Sequence, residues 1–204
     1  RAAEEAAAGH RVFIVCPRID ATNVEEGSTA SGAGEADVSV ATVEETFREA
    51  AARLPNARVA ALHGRMPSED KESVMARLLA GGVDVVVSTT VIEVGVDVPD
   101  ATMMIVFDAD RFGISQLHQL RGRIGRSSLP GVCLLVSAAE DGTPTRERLD
   151  AVASTRNGFD LAQRDLEIRR EGDVLGGSQS GARSSLRLLR VVEDAAVIPR
   201  ARAA

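Results

Sequence analysis

Apolar residues recur along the first two thirds of the chain in two alternating rhythms. Five short runs are almost continuously aliphatic: Arg11–Cys16, Arg58–Leu62, Val83–Ser88, Met103–Phe107 and Val132–Val136. With so little polar alternation, they predict strands covered on both faces, as in a parallel sheet. Between them the spacing turns helical, over Val43–Leu54, Ser68–Leu79 and Ile114–Ile124. The second helix opens on Pro67-Ser68-Glu69-Asp70 and stops at Gly81-Gly82, ordinary start and stop signals. Strand alternating with helix predicts an α/β fold, a doubly wound parallel sheet with helices on both faces.

After about Gly142 the strand rhythm ends. Thr145–Thr155 and Phe159–Arg169 predict two helices joined near Asn157-Gly158. A glycine-rich stretch from Gly172 to Gly181 and a last helix near Ser184–Asp194 follow. The expected organisation is therefore a sheet domain over residues 1–142 and a small helical-hairpin module over 143–204. Asp20 to Asp37 has almost nothing to bury and is expected to be a mobile acidic surface loop.

Composition restricts the chemistry. The 204 residues are 44% hydrophobic but only 2% aromatic, so the core must be built from Val, Ile, Leu and Ala. Lys71 is the only lysine, and 23 of the 24 basic residues are arginine. Single arginines therefore mean little, and only their spacing carries information. Residues 1–100 hold 9 basic and 17 acidic residues, net −8; residues 101–204 hold 15 and 13, net +2. This distribution excludes a strongly basic nucleic-acid footprint and leaves only local patches in the second half. Cys16 and Cys133 lie in apolar runs and read as small buried hydrophobes. No apolar run approaches the roughly 18 residues of a membrane span, and no signal peptide is visible. The chain opens at Arg1 on an Ala/Glu-rich stretch, as a piece of a longer polypeptide would.

Against that background one cluster stands out. Gln119 to Arg126 reads Gln-Leu-Arg-Gly-Arg-Ile-Gly-Arg, three arginines within six residues and no acid among them. Guanidinium groups stay charged and fork onto phosphate oxygens. Glycine removes the side chain where a phosphate must approach the backbone. The cluster reads as a site for the end of a nucleoside triphosphate, or as a solvated arginine-rich helix. In open α/β sheets ligands sit beyond the carboxyl ends of the strands. Three segments are expected there, among them Ser88 to Pro99 and Leu62 to Met66. In the first, the hydroxyls of Ser88, Thr89 and Thr90 can bind backbone or phosphate, and Asp97 can accept from a ribose hydroxyl. Helix capping and a turn at Asp97-Val98-Pro99 are the competing reading. His63 has no nearby nucleophile, and the three histidines are too scattered for a metal site.

Other motifs are missing. The chain has no Gly-x-x-x-x-Gly-Lys-Ser/Thr loop and no Asp-Glu pair following a strand. It can supply arginines to a nucleotide held elsewhere, but it lacks the parts to bind and hydrolyse one unaided. A dinucleotide oxidoreductase is excluded by the lack of a Gly-x-Gly-x-x-Gly turn.

Ser88–Pro99 resembles motif V of superfamily 2 helicases, and Gln119–Arg126 resembles motif VI. Together they mark the second RecA-like lobe of such motors, here with motifs IV to VI within residues 1–142. Val15-Cys16-Pro17-Arg18-Ile19-Asp20 and Leu62-His63-Gly64-Arg65-Met66 resemble the RecG branch. So do Gly158 to Arg169 and Gly176-Gly177-Ser178-Gln179-Ser180-Gly181, which look like the TRG (translocation in RecG) hairpin and loop. The resemblance implies an ATP-dependent translocase on branched double-stranded DNA. ATP and Mg2+ would be held mainly by a first helicase lobe that, with an N-terminal wedge, lies elsewhere in the polypeptide.

By the same resemblance, Arg123, Arg126 and Gln119 would be the catalytic residues reaching the γ-phosphate, with Gly95 and Asp97 beside the nucleotide. Thr89, Thr90, Arg148, Arg169 and Gln179 would couple it to DNA. The implied state is a cytoplasmic monomer. One departure is visible: Arg169-Arg170-Glu171-Gly172-Asp173 stands where the family reads Arg-Gly-Pro-Gly-Glu, which changes the backbone angles open to that turn. The transcription–repair coupling translocase, which shares the TRG motif, is the nearest alternative. A non-catalytic, nucleotide-responsive binding module is the alternative from another class.

Overall fold

The computed structural model describes residues 1–20, 40–89, 98–127 and 129–165. The acidic stretch beyond Asp20, most of Ser88–Pro99 and everything after residue 165 lie outside the described residues. So do the variant turn at Arg169–Asp173 and the last expected helix.

Five strands form one parallel sheet: β1 (Arg11–Val15), β2 (Val59–Leu62), β3 (Val85–Ser88), β4 (Ala101–Val106) and β5 (Val132–Leu135). Their spatial order is β2-β3-β1-β4-β5, and every pairing is parallel. All five lie within the aliphatic runs or within two residues of them. The central strands are sealed on both faces: every residue of β3 is buried, as are four of five in β1. The two edge strands are only partly covered.

Alternate residues of each strand feed two separate cores. Phe13, Val15, Val86 and Met104 join one with Leu78, Leu117, Leu120 and Leu149. Val12, Ile14, Val85 and Met103 join the other with Val43 and Ala50. Helices α1 (Ala2–Ala7) and α2 (Val43–Arg53) therefore cover one face. Helices α3 (Ser68–Leu79), α4 (Ile114–Arg121) and α5 (Pro144–Ser154) cover the other. Cys16 is fully buried and Cys133 half-buried; both are free thiols. Burial pushes each up to about 11, so neither is a nucleophile near neutral pH.

Two of the helices start at a capping side chain. Thr42 accepts from the Glu45 amide at the head of α2, and Thr143 accepts from the Arg146 amide at the head of α5, with Pro144 in its first turn. Helix α4 stops earlier than its apolar rhythm suggests. Ile124 continues the buried stripe of Ile114, Leu117 and Leu120, yet the helix closes at Gly122. Gly125, at φ +65°, then turns the chain out of helical geometry.

The sheet and the helix after it share one core. Val152 and Leu161 are buried against the α4 residues, and a compact unit runs from Arg1 to Arg170. The change of pattern near Gly142 thus marks a change of element type within this unit, not a break in packing. The second unit, Glu171–Ala204, lies outside the described residues.

At the start of β3 the buried carboxylate of Asp84 ties β2 to the sheet. It accepts from the Arg58 amide at 2.8 Å and from the Arg58 guanidinium at 2.9 and 2.6 Å. Those bonds outweigh burial and hold its pKa below the ordinary 3.8. A depressed carboxylate stabilises the fold above its unfolded pKa and loses that contribution as pH falls through its folded value. Asp84→Asn should therefore cost about 1–2 kcal/mol at pH 7. The gap between the two proteins' melting temperatures should close as pH is lowered below the ordinary Asp range. An equal gap at every pH would show that the charge contributes nothing.

Candidate functional site

Helix α4 leads into the arginine run, and its residues divide into three faces. Ile114, Leu117 and Leu120 face the core. Gln119 is exposed on the turn that leads into Arg123 and Arg126. His118 and Arg121, three residues apart, share a third face directed at α5. At its head, Gln116 folds back to accept from the Gly113 amide at 3.0 Å.

Past the helix the arginine loop is fixed by backbone. The Gly125 amide donates to the Ala101 carbonyl at 2.9 Å. A Cβ on Gly125 would stand 2.8 Å from the Gly131 amide nitrogen, and a Cβ on Gly131 would stand 2.8 Å from that of Gly125. Two glycine backbones thus cross in contact just before β5. This assigns Gly125 a reason other than the expected one. It is glycine because its φ is positive and because Gly131 leaves no room. Gly122 has a helical φ of −68° and caps α4, its amide donating to the His118 carbonyl at 3.0 Å. Arg126 is exposed, and its Nε donates to the Gly122 carbonyl at 2.7 Å, which folds it onto its own loop. Arg123 is half-buried.

The loop's location follows from its connectivity. A helix that follows a parallel strand runs back toward that strand's start. The arginine loop accordingly sits beside Ala101, the first residue of β4, at the amino edge of the sheet. Val98, whose carbonyl accepts from the Ala101 amide, lies at the same edge. The carboxyl-edge rule fails for this loop because it applies to strand–helix connections, whereas Gly122–Gly131 is a helix–strand connection.

The opposite edge holds the other described candidates. Thr89 follows β3 and is buried to 1% exposure, with Ser88 fully buried beside it. Neither hydroxyl has a hydrogen-bond partner among the described residues. Buried unpaired hydroxyls are costly and mark a place where a partner belongs. The His63 carbonyl accepts from the Met66 amide in a tight turn, and the Lys71 ammonium caps the Gly64 carbonyl at 2.8 Å. Arg148 reaches the Asp110 carbonyl and the Thr145 hydroxyl, both at 3.5 Å, from α5. Gly95, Asp97, Thr90, Arg169 and Gln179 lie outside the described residues. The structure therefore places Gln119 in the last turn of α4, Arg123 and Arg126 on the loop that follows it, and Thr89 and Arg148 at the far edge.

Sequence reasoning missed Arg121 as a separate case. Its guanidinium donates to the Val152 carbonyl in the last turn of α5 and, at 3.1 Å, to Nδ1 of His118. The spacing held the signal: Arg121 lies three residues from His118, on a face that Gln119 and Arg123 do not share.

Residues 3–128 match the family described as helicase conserved C-terminal domain. The chain is 53% identical over 206 residues to the ATP-dependent DNA helicase RecG of Mycobacterium tuberculosis, covering 99% of this chain and 27% of that protein. It is 41% identical over 186 residues to the RecG of Staphylococcus epidermidis, covering 91% and 25%. A solved structure of RecG bound to a three-way DNA junction superimposes with TM-score 0.65 at 31% identity, covering 96% of this chain and 23% of that one. The chain thus spans about a quarter of the length of these relatives. The family match covers more than half of the chain, including strands β1 to β4 and the three arginines Arg121, Arg123 and Arg126, and the chain belongs to the helicase conserved C-terminal domain family.

Proposed function

We propose that this chain is the second motor lobe of an ATP-dependent double-stranded DNA translocase of the RecG type. The whole protein would remodel branched DNA, driving Holliday junction branch migration and regression of stalled replication forks. One observation carries the reading: an arginine loop held rigid by crossed glycine backbones, in a chain with no phosphate loop of its own. Rigid, permanently charged donors suit a phosphate that arrives from outside.

The donor set fits the γ-phosphate of ATP as substrate. Arg123 and Arg126 would fork onto it across the cleft, and Gln119 would sense it from the preceding turn. Gly95 and Asp97 belong to the same reading. Mg2+ would be carried with the phosphates by the first lobe; among the described residues no group of three or more His, Cys, Asp or Glu is placed to hold a metal. Thr89, at the other edge, would face DNA together with Thr90, and Arg148, Arg169 and Gln179 would relay lobe closure into movement along the duplex. Low aromatic content suits a grip on duplex backbone by charge and hydrogen bonds rather than by base stacking. The N-terminal wedge and first lobe complete the machine, working as a monomer in the cytoplasm.

The isolated chain is expected to release no phosphate from ATP above background, with or without junction DNA. Sustained turnover by this chain alone would overturn the two-lobe reading.

A further inference from the structure

Strand β5 ends the sheet order, so among the described residues one of its sides has no neighbouring strand. The Val136 amide donates to the Val106 carbonyl, and the Val136 carbonyl accepts from the Ala109 amide, both at 2.8 Å. Main-chain groups of successive residues in a parallel strand turn to alternate sides. Those of Val136 therefore face β4, and those of Cys133 and Leu135 face the open side. Such an edge is a template for a further strand unless charge, proline or a bulge blocks it. Val132, Cys133, Leu134 and Leu135 supply no charge and no proline.

The two faces beside this edge differ in chemistry. Leu134 pairs with Ile105 and shares its face, whereas Cys133 and Leu135 pair with Met104 and Val106 on the other. On the first face α1 packs on β1 and β4 and α2 on β2 and β3, and β5 extends past both. Leu134 and Val136 are left 42% and 41% exposed, continuing a strip begun by the partly buried Ile105 and Phe107. On the second face Cys133 and Leu135 floor a groove of about 730 Å³ against Leu149 and Val152 of α5. Arg121, Arg146 and Arg156 line this groove with one carboxylate, Asp150. Asp150 and the exposed Asp141 both pair with Arg146, at 3.1 and 3.4 Å. Among the described residues Arg121 and Arg156 are thus left without a carboxylate.

We infer that the β5 edge is a docking site for an extended segment of another protein in which apolar and acidic residues alternate. The segment adds as a sixth strand, hydrogen-bonded to the main chain of Cys133 and Leu135. The two-residue period of an extended chain puts its apolar and acidic side chains on opposite faces. The apolar ones widen the strip of Leu134 and Val136. The acidic ones lie over the groove, with their stems on its apolar floor and their carboxylates at Arg156 and Arg121. A second copy of this edge would set its own arginines against these, so like charge opposes self-pairing. The site uses neither nucleotide nor DNA and stands apart from the proposed function.

The test uses the full-length protein and a dye-labelled peptide of four valines alternating with four glutamates. Fluorescence anisotropy should show saturable binding with Kd of about 1–100 μM, in the range of transient strand addition. Hydrogen exchange at the Cys133 and Leu135 amides should slow when the peptide is added. Leu134→Lys places a charge on the edge and Arg156→Glu reverses the charge of the groove. Each should weaken binding about tenfold or more, with the melting temperature within about 2 °C because both positions are exposed. Arg156→Glu carries the test if Leu134→Lys does not fold. The same peptide with lysine for glutamate should not bind. No saturation below about 1 mM, or equal affinity for both peptides or in both variants, would overturn the inference. Amides of Cys133 and Leu135 already protected before peptide is added would assign the edge to another part of the same polypeptide. Concentration-dependent dimerisation lost in Leu134→Lys would assign it to a second copy. Either result would overturn docking by another protein.

Discussion

Arg126→Ala in the full-length protein is expected to lower DNA-stimulated ATP hydrolysis by about 10³-fold or more, the scale of an arginine finger. The fold should survive. Arg126 is exposed, and its Nε donates to the Gly122 carbonyl of its own loop. Surface substitutions of this kind stay within about 0.5 kcal/mol, so the melting temperature should move by no more than about 2 °C. The two measurements must be taken together. Lost hydrolysis with an intact melting curve assigns the loss to the transition state. Normal turnover in the mutant would remove Arg126 from the catalytic set. Loss of both would return the residue to a structural role.

Gly125→Ala should act in the reverse order, on stability first. A side chain at φ +65° costs about 1–2 kcal/mol, and forcing a methyl into a filled space adds about 1–3 kcal/mol. The expected sum, about 2–5 kcal/mol, lowers the melting temperature by about 5–15 °C in a lobe of this size. Gly142 supplies the control. It has φ +80°, but a Cβ there would meet nothing within 4 Å. Gly142→Ala should therefore show only the conformational cost. The difference between the two melting temperatures isolates the crossing of Gly125 and Gly131. Equal shifts would mean that the loop relaxes and the crossing is soft.

The strands were legible because a sheet covered on both faces needs continuous aliphatic runs, and Val85–Ser88 or Arg11–Val15 can satisfy that in few other ways. Boundaries were less so. Ile124 belongs to the buried stripe of α4 without being in the helix, since periodicity records burial and not hydrogen bonding. The division expected near Gly142 followed a change of rhythm, but Leu149, Val152 and Leu161 are shared with the α4 side of the core. Such sharing is a contact over distance, which local pattern does not contain.

In the site, residue types were legible and their reasons were not. Gly125 looked like a concession to phosphate; its neighbour is Gly131, six residues on, which only the folded chain brings within reach. The edge on which the arginines sit was deducible from connectivity alone. It follows once a helix is recognised as the return path between parallel strands.

The placement of candidates at opposite edges makes each strand a lever. Strand β4, six residues long, spans about 20 Å at about 3.3 Å per residue. A packed interior hardly compresses, so a displacement imposed on the arginine edge reaches the far edge of the sheet without being absorbed between them.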